Sequence, residues 1–134
     1  MGIMTSSAIE NDKTSSDEAY LSAIENVKID DDGVFKYVLI KCSLKSQSKH
    51  IVRGFGWAEY HADIYEDEEQ KILPLGVRTQ CLGGGRIQHK PDSKEILVYG
   101  YSVGFGRADH SIAVKLLQEK FPGYSKITFS NDGY

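Results

Sequence analysis

The chain has 134 residues, 40% of them hydrophobic and 26% charged, with a net charge of -3. That length fits one domain able to bury a core without disulfides. The acidic balance excludes bulk electrostatic binding of nucleic acid and leaves room only for a local basic pocket. No apolar run approaches the roughly 18 to 20 residues that cross a bilayer, and the N-terminus lacks the apolar stretch of a secretory signal. "MGIMTS" fits the loose acylation pattern through Gly2 and Ser6, but so short a match arises by chance and no membrane partner is expected. The two cysteines, Cys42 and Cys81, have neither CxxC spacing nor a secretory context. Free thiols in the cytoplasm are therefore the expectation.

Residues 1–24 are rich in Ser, Thr, Asp, Glu and Asn and read as a mobile polar tail, with a helical turn near "EAYLSAI". Residues 25–134 form the single expected domain. Val27 and Ile29 mark a short strand, "DDDG" a turn, and "VFKYVLIKCSL" a central strand rich in β-branched and aromatic residues. "KSQSKH" reads as a polar loop and "HIVRGF" as a third strand. The period then changes: Ile64, Tyr65, Ile72 and Leu73 recur at helical spacing over residues 62–73, with the acidic cluster 66–69 mostly opposite and Pro74 and Gly76 as stops. "VRTQCLGGGRIQHK" reads as a strand interrupted by glycines, "KEILVYGYS" as another strand and "VGFGRA" as a glycine loop. Asp109 caps a second helix over residues 110–121, with Pro122 as its stop, and "SKITFSNDGY" closes the chain as a strand. The sum is an α+β fold, a six-stranded mixed β-sheet flanked by two α-helices.

The residues able to do chemistry are few. Neither "CLGGGRI" nor "YGYSVGFGRADH" has the spacing of a nucleotide-binding glycine motif. A glycine turn can still aim backbone N–H groups at an anion, and Ser102 could add a hydroxyl; a plain tight turn is the competing reading. Lys36 falls inside a strand otherwise suited to burial, Arg53 ends a strand and Arg86 follows three glycines. Singly each is an ordinary solvated or paired cation. Among His50, His61, His89 and His110 no pair has metal-ligand spacing, so no metal and no cofactor are expected. His61 and His110 stand apart because each opens a predicted helix, where the positive dipole end favours a neutral imidazole suited to general-base or nucleophilic work. A Ser/His/Asp arrangement fails on context, since Ser102 is not in a G-x-S-x-G turn.

The segments "DGVFKYVLIK", "IVRGFGWAEYHADIY", "CLGGGRIQH", "VYGYSVGFGRADH" and the terminal "NDGY" together resemble the 14 kDa phosphohistidine phosphatases of the janus family. The resemblance runs from about Val27 to Tyr134. It implies a six-stranded mixed sheet with two helices and metal-free hydrolysis of phosphohistidine in proteins. It places the catalytic histidine on His61 and the phosphate-binding groups on Lys36, the N–H of Ala62, Ser102 and Gly104. Arg53, Arg86 and His110 match positions lining or supporting the pocket. The family pattern has alanine where this chain has Gly104, and the segment "EDEEQKILPLGVRTQ" diverges. The implied partners are phosphohistidine-containing proteins as substrates of a monomer. A non-catalytic phosphoprotein-binding module, or a broader phosphoramidate hydrolase acting also on phospholysine, are the alternatives; a binding module would not need His61.

Overall fold

The computed structural model describes residues 17–132. The greater part of the polar tail, with the Gly2/Ser6 pattern, and the final Gly133 and Tyr134 lie outside the described residues. The helical turn expected near residue 20 is present as α1, residues 17–23. Its Leu21, and Ile24 just beyond it, are buried, so these two apolar side chains belong to the packed body.

Six strands follow: β1 (Val27–Ile29), β2 (Gly33–Leu44), β3 (Gln47–Phe55), β4 (Arg78–Lys90), β5 (Glu95–Tyr99) and β6 (Lys126–Phe129). They form one sheet in the order β1-β3-β2-β4-β5-β6, antiparallel through its centre and parallel at the two outer pairs. Helix α2 (His61–Ile72) packs on β2, β3 and β4, while α3 (His110–Lys120) packs on the other side against β6, β3, β5 and β1. With both faces covered, the middle of β2 is a continuous apolar run, and Val38, Leu39 and Ile40 are each fully buried. Val38 and Ile40 join the α2 core with Ile51, Ile64 and Ile72; Tyr37 and Leu39 join the α3 core with Val98, Ala113 and Leu117.

Two local expectations are corrected. The polar loop expected over "KSQSKH" shrinks to a two-residue turn, because Leu44 pairs with Gln47 and Lys45 takes a positive φ of 56°. The glycines of "CLGGGRI" do not interrupt their strand: β4 runs unbroken through Gly83–Gly85, and the register slips at Leu82 as a bulge. The stops after α2 work as expected, with Leu73–Leu75 tightening into a 3-10 turn ended by Gly76 at φ 77°. Asp109 caps α3 by accepting from the Ser111 N–H at 3.0 Å.

Candidate active site

The triple glycine sets the site. Successive strand residues face opposite sides of a sheet, so Gly84 turns toward α2 and Gly85 toward α3. A Cβ on Gly84 would lie 2.7 Å from His61 Cδ2, and one on Gly85 would lie 2.7 Å from His110 Cε1 and 2.4 Å from the Tyr99 carbonyl oxygen. The two histidines that open the two helices therefore sink into the sheet from opposite faces, through notches that only glycine leaves.

Their hydrogen bonds separate their roles. His110 Nε2–H donates to the Gly100 carbonyl at 2.9 Å, and His110 Nδ1 accepts from the Tyr37 hydroxyl at 2.5 Å. Both ring nitrogens are used and the residue is buried, so His110 supports the site from behind Gly85 rather than lining it. His89 is likewise saturated, between the Asp30 carbonyl and the Tyr124 hydroxyl. His61 Nε2–H donates to the Gly85 carbonyl at 2.9 Å. A carbonyl only accepts, so the neutral ring carries its proton on Nε2 and its lone pair on Nδ1. Nδ1 has no hydrogen-bond partner among the described residues, and it lies on the ring edge turned away from Gly84. Burial, first, and then the Lys36 and Arg86 charges pull the His61 pKa below the usual histidine value, against the opposing pull of the Gly85 bond.

His61 lines a cleft of about 720 Å³ together with Lys36, Ala62, Ser102 and Gly104, and with Glu59, Tyr60, Val103 and Phe105. Five of the eight residues singled out in the sequence thus meet in one place. The N–H groups of the first helical turn have no intrahelical acceptor; that of Asp63 turns back to the Tyr60 carbonyl at 3.1 Å, and the Asp63 carboxylate accepts from the Tyr60 N–H at 2.9 Å. Ala62 N–H is left at the positive end of α2. Across the cleft, Ser102 and Gly106 close a tight turn through paired backbone bonds of 3.1 and 2.8 Å, and Ser102 Oγ accepts from the Phe105 N–H at 3.0 Å. The Ser102 hydroxyl keeps its own proton for another acceptor. The N–H groups of Val103 and Gly104 have no protein acceptor among the described residues.

Lys36 lines the cleft, while Arg86 is half-buried beside it and outside its lining. Lys36 and Arg86 stand directly opposite each other across β2 and β4. Both charges act on His61 and lower its pKa. Arg53 lies elsewhere. It is buried under α2, with Nε donating to Glu68 Oε1 at 2.6 Å and a terminal N–H to the Val52 carbonyl at 3.0 Å, so it anchors α2 and does not line the cleft. Glu68, grouped with the exposed acidic cluster in the sequence, is 2% exposed. A glutamate four residues after Ile64 lies on the buried stripe, which is the signal that could have found it. Neither thiol competes for the chemistry: Cys42 and Cys81 are free, lie outside the cleft lining, and burial pushes Cys81 up to about 11.

A mixed sheet with a histidine at a helix mouth, facing N–H, hydroxyl and ammonium donors across one cleft, defines an α+β domain with a donor-lined cleft. The Janus/Ocnus family (Ocnus) model matches residues 21–125. The chain is 50% identical over 123 residues to the pig protein named 14 kDa phosphohistidine phosphatase, covering 87% of this chain and 97% of that one. It is 47% identical to the human protein of the same name, over 87% and 98%, and 47% identical to sex-regulated protein janus-A of Drosophila simulans, over 87% of each. The chain belongs to the Janus/Ocnus family.

Proposed function

We propose that this protein is a protein phosphohistidine phosphatase that cleaves the N–P bond without a metal. The observation that carries the reading is the free Nδ1 of a neutral, tautomer-fixed His61 beside an array of unused anion donors. The phosphoryl oxygens sit on the Ala62 and Gly104 N–H groups, the Ser102 hydroxyl and the Lys36 ammonium, with Arg86 adding charge from beside the cleft. Phosphoryl transfer asks mainly for positioning and charge stabilisation of this kind. His61 Nδ1 then either takes a proton from the attacking water or attacks phosphorus itself, giving a phosphorylated His61 that water cleaves. In both routes the substrate imidazole departs with the N–P electron pair. Protonated at its other nitrogen, it leaves as a neutral ring and requires no strong general acid. Arg53 and His110 act as positioning residues, through α2 and through Gly85.

The reading is supported by the names of the pig and human relatives and by the apolar walls of Val103 and Phe105, against which a substrate imidazole can lie. Phosphate release from a phosphohistidine peptide, followed in the presence of a chelator with a phospholysine peptide alongside, tests it. Release from phosphohistidine in chelator is expected. Dependence on added metal, or release from phospholysine alone, contradicts it.

A further inference from the structure

The cleft opens onto a part of the sheet that lies beyond the start of α2. The register runs one row across four strands, Phe55–Lys36–Arg86–Tyr99, level with His61. Farther along the same face come Val34, Gln88, Leu97 and Thr128, and then Lys90, Glu95 and Lys126. Val34 is 51% exposed, and Lys90, Thr128 and Lys126 are exposed. A shallow groove of about 160 Å³ runs over these last rows.

The charge on this face opposes that of the chain. Lys36, Arg86, Lys90 and Lys126 share the rows of this face with Glu95, and Glu59 lines the cleft beside Lys36, in a protein whose net charge is -3. Lys90 and Lys126 form no ion pair among the described residues. They are also spaced to read a chain. Arg86 and Lys90 are four residues apart on β4, about 13 Å along a strand, a distance that about four residues of extended peptide span. Lys126 stands beyond Glu95, two strands over, widening the basic field.

Resting on the phosphatase reading, we infer that the open face of β4, β5 and β6 docks the protein substrate, as an acidic segment whose carboxylates lie about four residues from its phosphohistidine. Lys90 and Lys126 take the carboxylates, Leu97 takes an apolar side chain between them, and the phosphoryl group enters the cleft at His61. Such contacts steer encounter and set specificity more than turnover.

The test uses two pairs of phosphohistidine peptides, with glutamate or glutamine at the third to fifth positions on one side or the other of the phosphohistidine. Wild type at low salt should favour one glutamate peptide over its glutamine partner by about tenfold in kcat/KM, the difference residing in KM and shrinking as salt rises. The double variant Lys90→Glu with Lys126→Glu should abolish or reverse that preference. Free phosphohistidine turnover by the same samples checks that the variant is folded. Equal use of all peptides by wild type, or a preference that survives the charge reversal, overturns the docking surface and leaves the phosphatase reading intact. No hydrolysis of peptide or free phosphohistidine removes both. A dimer in sedimentation that the double variant dissolves would give this face to a second copy and overturn the assignment.

Discussion

His61 is useful because of what its neighbours lack. Gly84 gives its ring a place to lie, and Gly85 gives Nε2–H an acceptor, which together leave Nδ1 for the cleft. Gly84→Ala puts a methyl 2.7 Å from His61 Cδ2 and 2.7 Å from the Tyr37 carbonyl oxygen. The ring must move, and a displacement on the order of 1 Å costs about a hundredfold in rate; steady-state kinetics checks this. Gly104→Ala is the contrast. No heavy atom lies within 4 Å of its would-be Cβ, and its φ is not positive. This variant should keep activity within about twofold and gain about 0.4 to 1 kcal/mol from a stiffer unfolded chain, read from a denaturant midpoint. The same contrast shows what a sequence discloses. "GGG" announces that something approaches closely but not what approaches, because the visitors, His61 and His110, are remote in the chain and are brought there by helix packing.

At the scale of elements, α2 is held by one buried ion pair. Arg53 and Glu68 are 1% and 2% exposed, and their bond fixes the helix whose first residue is His61. Removing Arg53 leaves the buried Glu68 carboxylate with only Lys71 among the described residues, 3.7 Å away at the surface, so Arg53→Met should cost up to about 3 kcal/mol and lower kcat through the loosened helix. The double variant Arg53→Met with Glu68→Leu should recover much of the stability, since no charge is then left unpaired. A double-mutant cycle by urea unfolding measures both. Arg53 stands out in the sequence as a cation at a strand end, yet its partner becomes visible only with Glu68 in place. A charge run in sequence looks uniformly solvated until the helix phase is anchored by Ile64 and Ile72.

For the whole molecule, the fold class was legible because both periodicities are strong. The β-branched and aromatic run of β2, bounded by turn residues, and the helical spacing after Ala62 place the strands and the two main helices. The turn at Lys45 and the unbroken β4 were not legible, since polar residues and glycines serve in strands once pairing partners are fixed. Two buried histidines also give the molecule a pH signature. The pKa values of His61 and His110 are both lowered, chiefly by burial, so below about 6.5 the unfolded chain binds protons that the folded one refuses. Stability from these groups is present above about pH 6.5 and is lost as pH falls through their folded values. Urea unfolding should show the decline beginning below about pH 6.5, and His110→Gln should flatten it. Activity should follow the same direction, rising with pH as His61 loses its proton, with the kcat/KM limb centred below the ordinary histidine value; a bound phosphoryl dianion moves the limb in kcat upward relative to kcat/KM.

The measurement that tests the central claim most directly compares wild type and His61→Ala under chelator. Phosphate release from a phosphohistidine peptide is read beside a phosphate titration of the Ala62 and Gly104 amide resonances. Loss of release in His61→Ala, with both amides still shifting on phosphate binding, is the expected result. Release retained by His61→Ala would contradict the account and take His61 out of the chemistry.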